Sequence, residues 1–257
     1  MAAALLIAVV VVGATSAASQ KRVGVAQPSS KNDHSFSEAV HKGALQAQKA
    51  LGFKLNEIFN VTTPKAQATA VTNLARTNDI VLVAGAISIS PIYKKFPKTK
   101  FVVLDGIAPK APNTFSVTQD WYPVGYLAGV AAAKATKTNT VGFVGGIPIP
   151  VITDGAKAFT LGAKSVNPKI KVLTTTIGSF TDSVKAKSAA AAQIASGADV
   201  IWADLDTAHA GVVQAMQESG KGWVIGSVAP KCSLSSGIDL GDTVFNLQRI
   251  VFDTLKE

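Results

Sequence analysis

From Arg22 onward, short runs rich in valine and isoleucine alternate with longer stretches whose apolar residues recur every three or four positions. The runs RVGVA (22–26), IVLVAG (80–85), FVVLDG (101–106), TVGFVGG (140–146), KVLTTTI (171–177), DVIWADL (199–205) and WVIGSV (223–228) read as strands. Their almost unbroken apolar character is that of strands covered on both faces, as in a parallel sheet. Helices are expected between them, over 35–51, 65–76, 121–135, 154–165, 182–196 and 209–219. Alternation of this kind makes an open α/β sheet.

The strands also repeat in order. Val23 in VGV corresponds to Val141 in VGF, Asp79 in NDIVLVA to Asp199 in ADVIWAD, and Pro109 in FVVLDGIAP to Pro230 in WVIGSVAP. These matches lie 118, 120 and 121 residues apart, so two similar lobes in tandem are expected. Ligands of open α/β sheets bind beyond the carboxyl ends of the strands. The residues just after each strand are therefore the candidates for a site between the lobes.

One such segment, SSKNDHSFSE (29–38), places Asp33, Ser35 and Phe36 where a helix begins. Ser35 and Glu38 have the spacing of a capping box. Phe36 reads either as a staple against the helix or as a wall of the cleft, and Asp33 as a turn residue or a ligand acceptor. Asp105 ends FVVLD; Phe180 and Asp182 follow 171–177, with Asp182 a natural helix cap. Asp204, Asp206 and His209 end a further strand. An aromatic ring and an acid at each of two strand ends suit a planar polar solute. Each stacked ring contributes about 1–3 kcal/mol, and each hydrogen bond to a charged group about 1.5–3 kcal/mol.

Composition narrows the alternatives. The chain has 257 residues, of which 47% are hydrophobic and 16% charged, enough for a large buried core. Its net charge of +9 raises nucleic-acid binding, but the lysines are scattered and arginine occurs only at 22, 76 and 249, so no nucleic-acid partner is expected. Cys232 stands alone and the histidines (34, 41, 209) are far apart, so neither a disulfide framework nor a metal site is expected. No nucleophile elbow, phosphate loop or dinucleotide fingerprint is present. No catalytic residue or cofactor is therefore assigned, although paired acids such as Asp204 and Asp206 keep a nucleoside hydrolase as the alternative, beside a sensor of another small solute. Residues 2–19 are an apolar run followed by small residues, in the style of a signal peptide on an exported protein.

Three blocks carry a family resemblance: NDHSFSEAVHKGA (32–44), the long stretch from Tyr126 to Pro168, and GSFTDSVKAKSAAAAQIASGADVIW (178–202). They resemble the basic membrane protein family of substrate-binding proteins, which includes purine-nucleoside receptors of ABC importers. The resemblance implies a type I periplasmic-binding fold, two Rossmann-like lobes joined by a hinge. It implies a monomer that binds a purine nucleoside or base and serves an ABC permease in the membrane. Ligand-binding positions carried over by the resemblance and the strand ends are Asp33, Ser35, Phe36, Asp105, Phe180, Asp182 and Asp206. The chain departs from the family where an Asp follows the strand equivalent to 223–228, offering Ser227, Val228 and Ala229, and where Ile238 replaces a frequent Lys. The expected division is a signal peptide at 1–19, a first lobe of 20–108 plus 234–257, and a second lobe of 109–233.

Overall fold

The computed structural model describes residues 20–235 and 237–257; the expected leader at 1–19 lies outside the described residues. Two five-stranded parallel sheets account for the fold. The first contains β1 (Arg22–Ala26), β2 (Lys54–Ile58), β3 (Ile80–Ala84), β4 (Lys100–Leu104) and β5 (Thr114–Val117), in the order β2-β1-β3-β4-β5. The second contains β6 (Thr140–Gly145), β7 (Lys171–Thr176), β8 (Val200–Asp204), β9 (Trp223–Val228) and β10 (Asp239–Val244), in the order β10-β9-β8-β6-β7. Read from the other edge, the second order repeats the first strand for strand. The structure is thus two α/β domains of one topology, and the three matched strand pairs are β1 with β6, β3 with β8 and β4 with β9.

Seven α-helices are described: α1 (Phe36–Leu51), α2 (Pro64–Thr77), α3 (Trp121–Ala135), α4 (Pro150–Val166), α5 (Ser183–Ala195), α6 (His209–Ser219) and α7 (Leu247–Lys256). In the first domain, Val23, Val25, Leu82 and Leu104 pack against α1 and α7, while Val81, Val83, Phe101 and Val103 pack against α2. In the second, Val141, Phe143, Val200 and Trp202 meet α3 and α4, and Val144, Ile201 and Val224 meet α5 and α6. Successive strand residues therefore feed opposite layers, as the pleat requires.

The helices after the last strand of each sheet are exchanged. α3 follows β5 of the first sheet but packs on α4 of the second domain, and α7 follows β10 of the second sheet but packs on α1 of the first. Two expected boundaries shift accordingly. The division after 108 cut off β5, which pairs with β4, and the division after 233 assigned β10 to the wrong lobe, since it pairs with β9. Both strands are short or polar edges, so apolar pattern did not reveal them. The chain crosses between sheets and exchanged helices at 118–120 and 245–246.

The α3–α4 contact is made by glycines. A Cβ on Gly129 would lie 2.0 Å from the Phe159 carbonyl oxygen, and one on Gly162 would lie 2.0 Å from that of Tyr126. Backbone meets backbone there, and neither helix has a flexible side chain that could move aside. Gly129→Val should therefore lower the unfolding free energy by about 1–3 kcal/mol or more, read by urea denaturation. A loss below about 0.5 kcal/mol, the range of ordinary surface changes, would show that the helices have room to separate.

Candidate functional site

The strand order 2-1-3-4-5 places a topological switch between β1 and β3, and its repeat places another between β6 and β8; such switch points leave a crevice at the carboxyl ends. The two crevices open toward each other and enclose a cavity of about 210 Å³. Phe36, Gly85, Asp105 and Trp121 line it from the first domain side, and Ile149, Ile152, Phe180, Asp206 and Val228 from the second. Of the sequence candidates, Phe36, Asp105, Phe180 and Asp206 thus come together on one cavity. Asp33, Ser35 and Asp182 do not line it.

Phe36 is the first residue of α1, and the turn before it is held by Asp33. The Asp33 carboxylate accepts the backbone N–H groups of Ser35 (2.9 Å), Ser37 (3.0 Å) and Glu38 (3.0 Å). The acid thus serves as the cap of α1. The expected capping box does not form. Ser35 makes no side-chain cap bond, and Glu38 instead accepts the His34 N–H at 3.0 Å. Asp33 has already satisfied the amides that Ser35 would have served. Phe36 is only 9% exposed: it is both part of the first domain's core and a wall of the cavity.

On the opposite side, the Phe180 carbonyl accepts N–H bonds from Asp206 (3.1 Å) and Ala208 (3.2 Å), so the loop after β7 is stitched to the loop after β8. The Phe180 ring lies flat against the backbone following β6, where a Cβ on Gly146 would come within 2.2 Å of it. Asp182 caps α5 by accepting the Lys185 N–H at 3.0 Å, and that hydrogen bond holds its carboxyl below the usual range. It supports the Phe180 loop from outside the cavity.

The acids at the strand ends are largely engaged by the protein. Asp105 accepts the Gln119 backbone N–H (2.9 Å) and side-chain amide (2.5 Å), and burial pushes its pKa up. Asp206 is pushed up to about 6 by burial and by the Asp33 charge, with the Lys231 ammonium pulling the other way. Asp204 sits beneath the cavity, one oxygen lacking a partner among the described residues, and burial pushes it up to about 7. His209 is buried on the Ser235 hydroxyl (3.2 Å) and pushed down to about 3 by that burial, which keeps it neutral. Neither Asp204 nor His209 lines the cavity.

Several features were not anticipated. Trp121 joins the two phenylalanines as a third ring, packed at a tilt of 50° against Phe245 with 4.5 Å between centroids. An isoleucine wall, Ile147, Ile149 and Ile152, forms part of the second domain's contribution. Lys231 is buried behind Asp206, its ammonium bonded to the Leu205 carbonyl (2.6 Å) and the Ser35 hydroxyl (3.3 Å). Among the described residues, no Lys, Arg or His lines the cavity. Away from it, Cys232, Asp239 and Asp242 bring one ligand-type atom each within 4.8 Å of one another, but an Asp242 oxygen already accepts the Lys231 N–H at 2.8 Å.

The class of protein follows from this architecture: a two-domain α/β solute-binding fold with its site between the carboxyl ends of two parallel sheets. A solute-binding protein of an ABC transporter from Aeropyrum pernix K1 superposes with a TM-score of 0.80 at 18% identity, covering 92% of this chain and 70% of that one. A transcriptional activator of the comK gene from Bacillus halodurans superposes at 0.72 with 22% identity, over 91% of this chain and 81% of that one. At such identities these likenesses establish the fold alone. Residues 20–257 match the Bmp family model, described as ABC transporter substrate-binding protein PnrA-like, and the chain belongs to that family. An ABC transporter nucleoside-binding protein, BmpA, of Lactococcus lactis is 43% identical over 52% of this chain and 40% of its own length. A purine-binding protein of Brucella abortus is 29% identical over 77% of this chain and 58% of its own. The chain thus spans roughly half the length of these relatives.

The Asp204 environment generates a pH prediction. Its carboxyl, ordinarily near 3.8, titrates near 7 when folded, so the folded state holds the proton more tightly. The associated stability is complete below about pH 4 and is lost as pH rises to about 7. Asp204→Asn removes this loss, so the stability of the variant relative to the parent should increase between pH 4 and pH 8, measured by urea midpoints. A constant difference across that range would contradict the burial of an ionisable carboxyl there.

Proposed function

We propose that the protein is the extracytoplasmic solute-binding component of an ABC importer, capturing a purine nucleoside or nucleobase between its domains and delivering it to the permease. One observation carries the reading: two phenylalanine rings, one from each domain, face a single cavity whose other walls combine apolar side chains with a few polar ones, Asp105 and Asp206 among them. Such a pocket rewards a flat solute, which stacks on rings without demanding a particular edge pattern. Membership of a substrate-binding family and likeness to relatives named for nucleosides and purines support the same choice.

The lining also bears on charge. Two carboxylates and no cation among the described lining residues disfavour a phosphorylated solute, because a phosphate would meet like charge in a poorly solvated site. An uncharged nucleoside or base meets no such cost. Closure would occur about the two crossing segments, 118–120 and 245–246. A solute held by both domains binds the closed state better than the open one and shifts the population toward it, which is the form a permease would recognise. In this reading the molecule acts as an exported monomer.

Binding is tested by calorimetry with adenosine, inosine, guanosine, the free bases and the corresponding monophosphates. Nucleosides or bases should bind, and monophosphates should bind at least tenfold more weakly. Phe36→Ala and Phe180→Ala should each weaken the tightest solute by about 1–3 kcal/mol. Undiminished affinity in both ring variants, or preference for a monophosphate, would overturn the assignment.

A further inference from the structure

Closing this cleft brings negative charge from both domains together. Asp33 is anchored at the start of α1 in the first domain, and Asp206 follows β8 in the second. The Asp33 charge is felt at Asp206, where it opposes ionisation. Both residues are more than nine-tenths buried, Asp33 at 3% exposure and Asp206 at 6%, so water screens little of the repulsion. The ionised Asp206 is favoured across the boundary by the Ser35 hydroxyl and the Phe36 N–H, but its repulsion by Asp33 opposes closure, and a cation behind it offsets that repulsion.

Lys231 is that cation. It stands three residues beyond β9 in the second domain and is 1% exposed. Its backbone is fixed by the N–H bond to Asp242 (2.8 Å), and its ammonium is fixed on its own side by the Leu205 carbonyl (2.6 Å). The remaining contact crosses to the other domain, reaching the Ser35 hydroxyl at 3.3 Å. Ser35 is itself 1% exposed, and its hydroxyl, not used as a helix cap, meets the lysine and favours the ionised Asp206. Burial lowers the pKa of the ammonium, while the charges of Asp206, Asp204, Asp242 and Asp33 work the other way and favour its protonated form; the neutral His209 also feels its charge.

We propose that Lys231 is a closure residue: a cation built into the second domain that ties Ser35 across the cleft and neutralises the opposed carboxylates, so that the domains can close without a solute supplying that charge. This rests on the cleft being the solute site. It explains why a lysine is buried where its ammonium meets a carbonyl of its own domain and a hydroxyl of the other, within the field of four carboxylates. It also sets a division of labour. Lys231 supplies the electrostatic part of closure behind Asp206, and the solute contributes stacking in the cavity in front of it.

Small-angle scattering of the full chain without solute at pH 8 tests the tie. Lys231→Met, which keeps length and removes charge, should shift the protein to a larger radius of gyration than the parent. Adding Asp206→Asn to that variant should restore the parental radius, because the uncompensated carboxylate is gone; loss of packing alone would not be repaired in this way. The single variant should also recover compactness at pH 5, where Asp206 takes up a proton. Ser35→Ala, which leaves the charges in place and deletes the hydroxyl that meets Lys231 and Asp206 across the boundary, should open the protein as well and serves if Lys231→Met fails to fold. Parental radii in Ser35→Ala and in Lys231→Met, or no recovery in the double variant, would overturn the proposal. No solute enters the measurement, so its outcome is separate from that of the binding screen: a chain that binds no purine can still open on loss of Lys231, and purine binding with unchanged radii removes the tie and leaves the assignment standing.

Discussion

The structure depends on the exchange of one helix between two like domains. Each five-stranded sheet has its own inner helices, yet the helix that follows its last strand covers the other domain: α3 lies on α4, and α7 on α1. The exchange requires the chain to cross twice at the same end of both sheets, which is the carboxyl end of the strands. The segments that cross, 118–120 and 245–246, therefore stand beside the two crevices where the backbone turns away from the sheets. Trp121 and Phe245, packed against each other at a tilt, come from the start of one exchanged helix and the approach to the other. Apposed crevices, rings from both domains and a cavity between them all follow from that connectivity.

What the residues at the strand ends do is governed by competition for the same polar groups. The backbone amides at the start of α1 need an acceptor, and Asp33 provides it three times over. The Ser35 hydroxyl is not used as a cap and faces Lys231. Gln119 occupies both oxygens of Asp105. Carboxylates that resemble ligand receptors in a linear sequence are thus partly spent on holding the scaffold, while rings and isoleucines form the surface a solute would touch. A cap worth about 1 kcal/mol and a ring contact worth about 1–3 kcal/mol are comparable. The rigidity of the turn bearing Phe36 accordingly matters as much as the ring itself.

The sequence made the inner strands and the tandem repeat legible because β1, β3, β4, β6, β8 and β9 are buried on both faces and read as continuous apolar runs. It concealed β2, β5 and β10 because these edge strands lack an apolar run: KLNEI and DLGDTV are half-exposed and polar, and TFSV has only four residues. The edge strand β7, by contrast, was legible from the β-branched run KVLTTTI. α7 was not read as a helix, its pattern being short, although the expected return of 234–257 to the first lobe agrees with its packing on α1. Phe36 and Phe180 were visible as rings with no place in a helical stripe. Asp33 was visible as a residue but not as a cap, since a carboxylate before a helix looks the same in either role. Lys231 carried no signal at all: one lysine among many scattered ones reveals its burial only when two distant strand ends are brought together.

The central claim is that one solute is held simultaneously by the strand ends of both domains. Amide hydrogen exchange on the full chain, with and without a saturating purine ligand identified by calorimetry, tests it directly. The account predicts slowed exchange together in the segments around Phe36 and Gly85 and in those around Ile149 and Phe180, with little change at the outer helices. Protection confined to one domain, or absent from both while calorimetry registers binding, would contradict it.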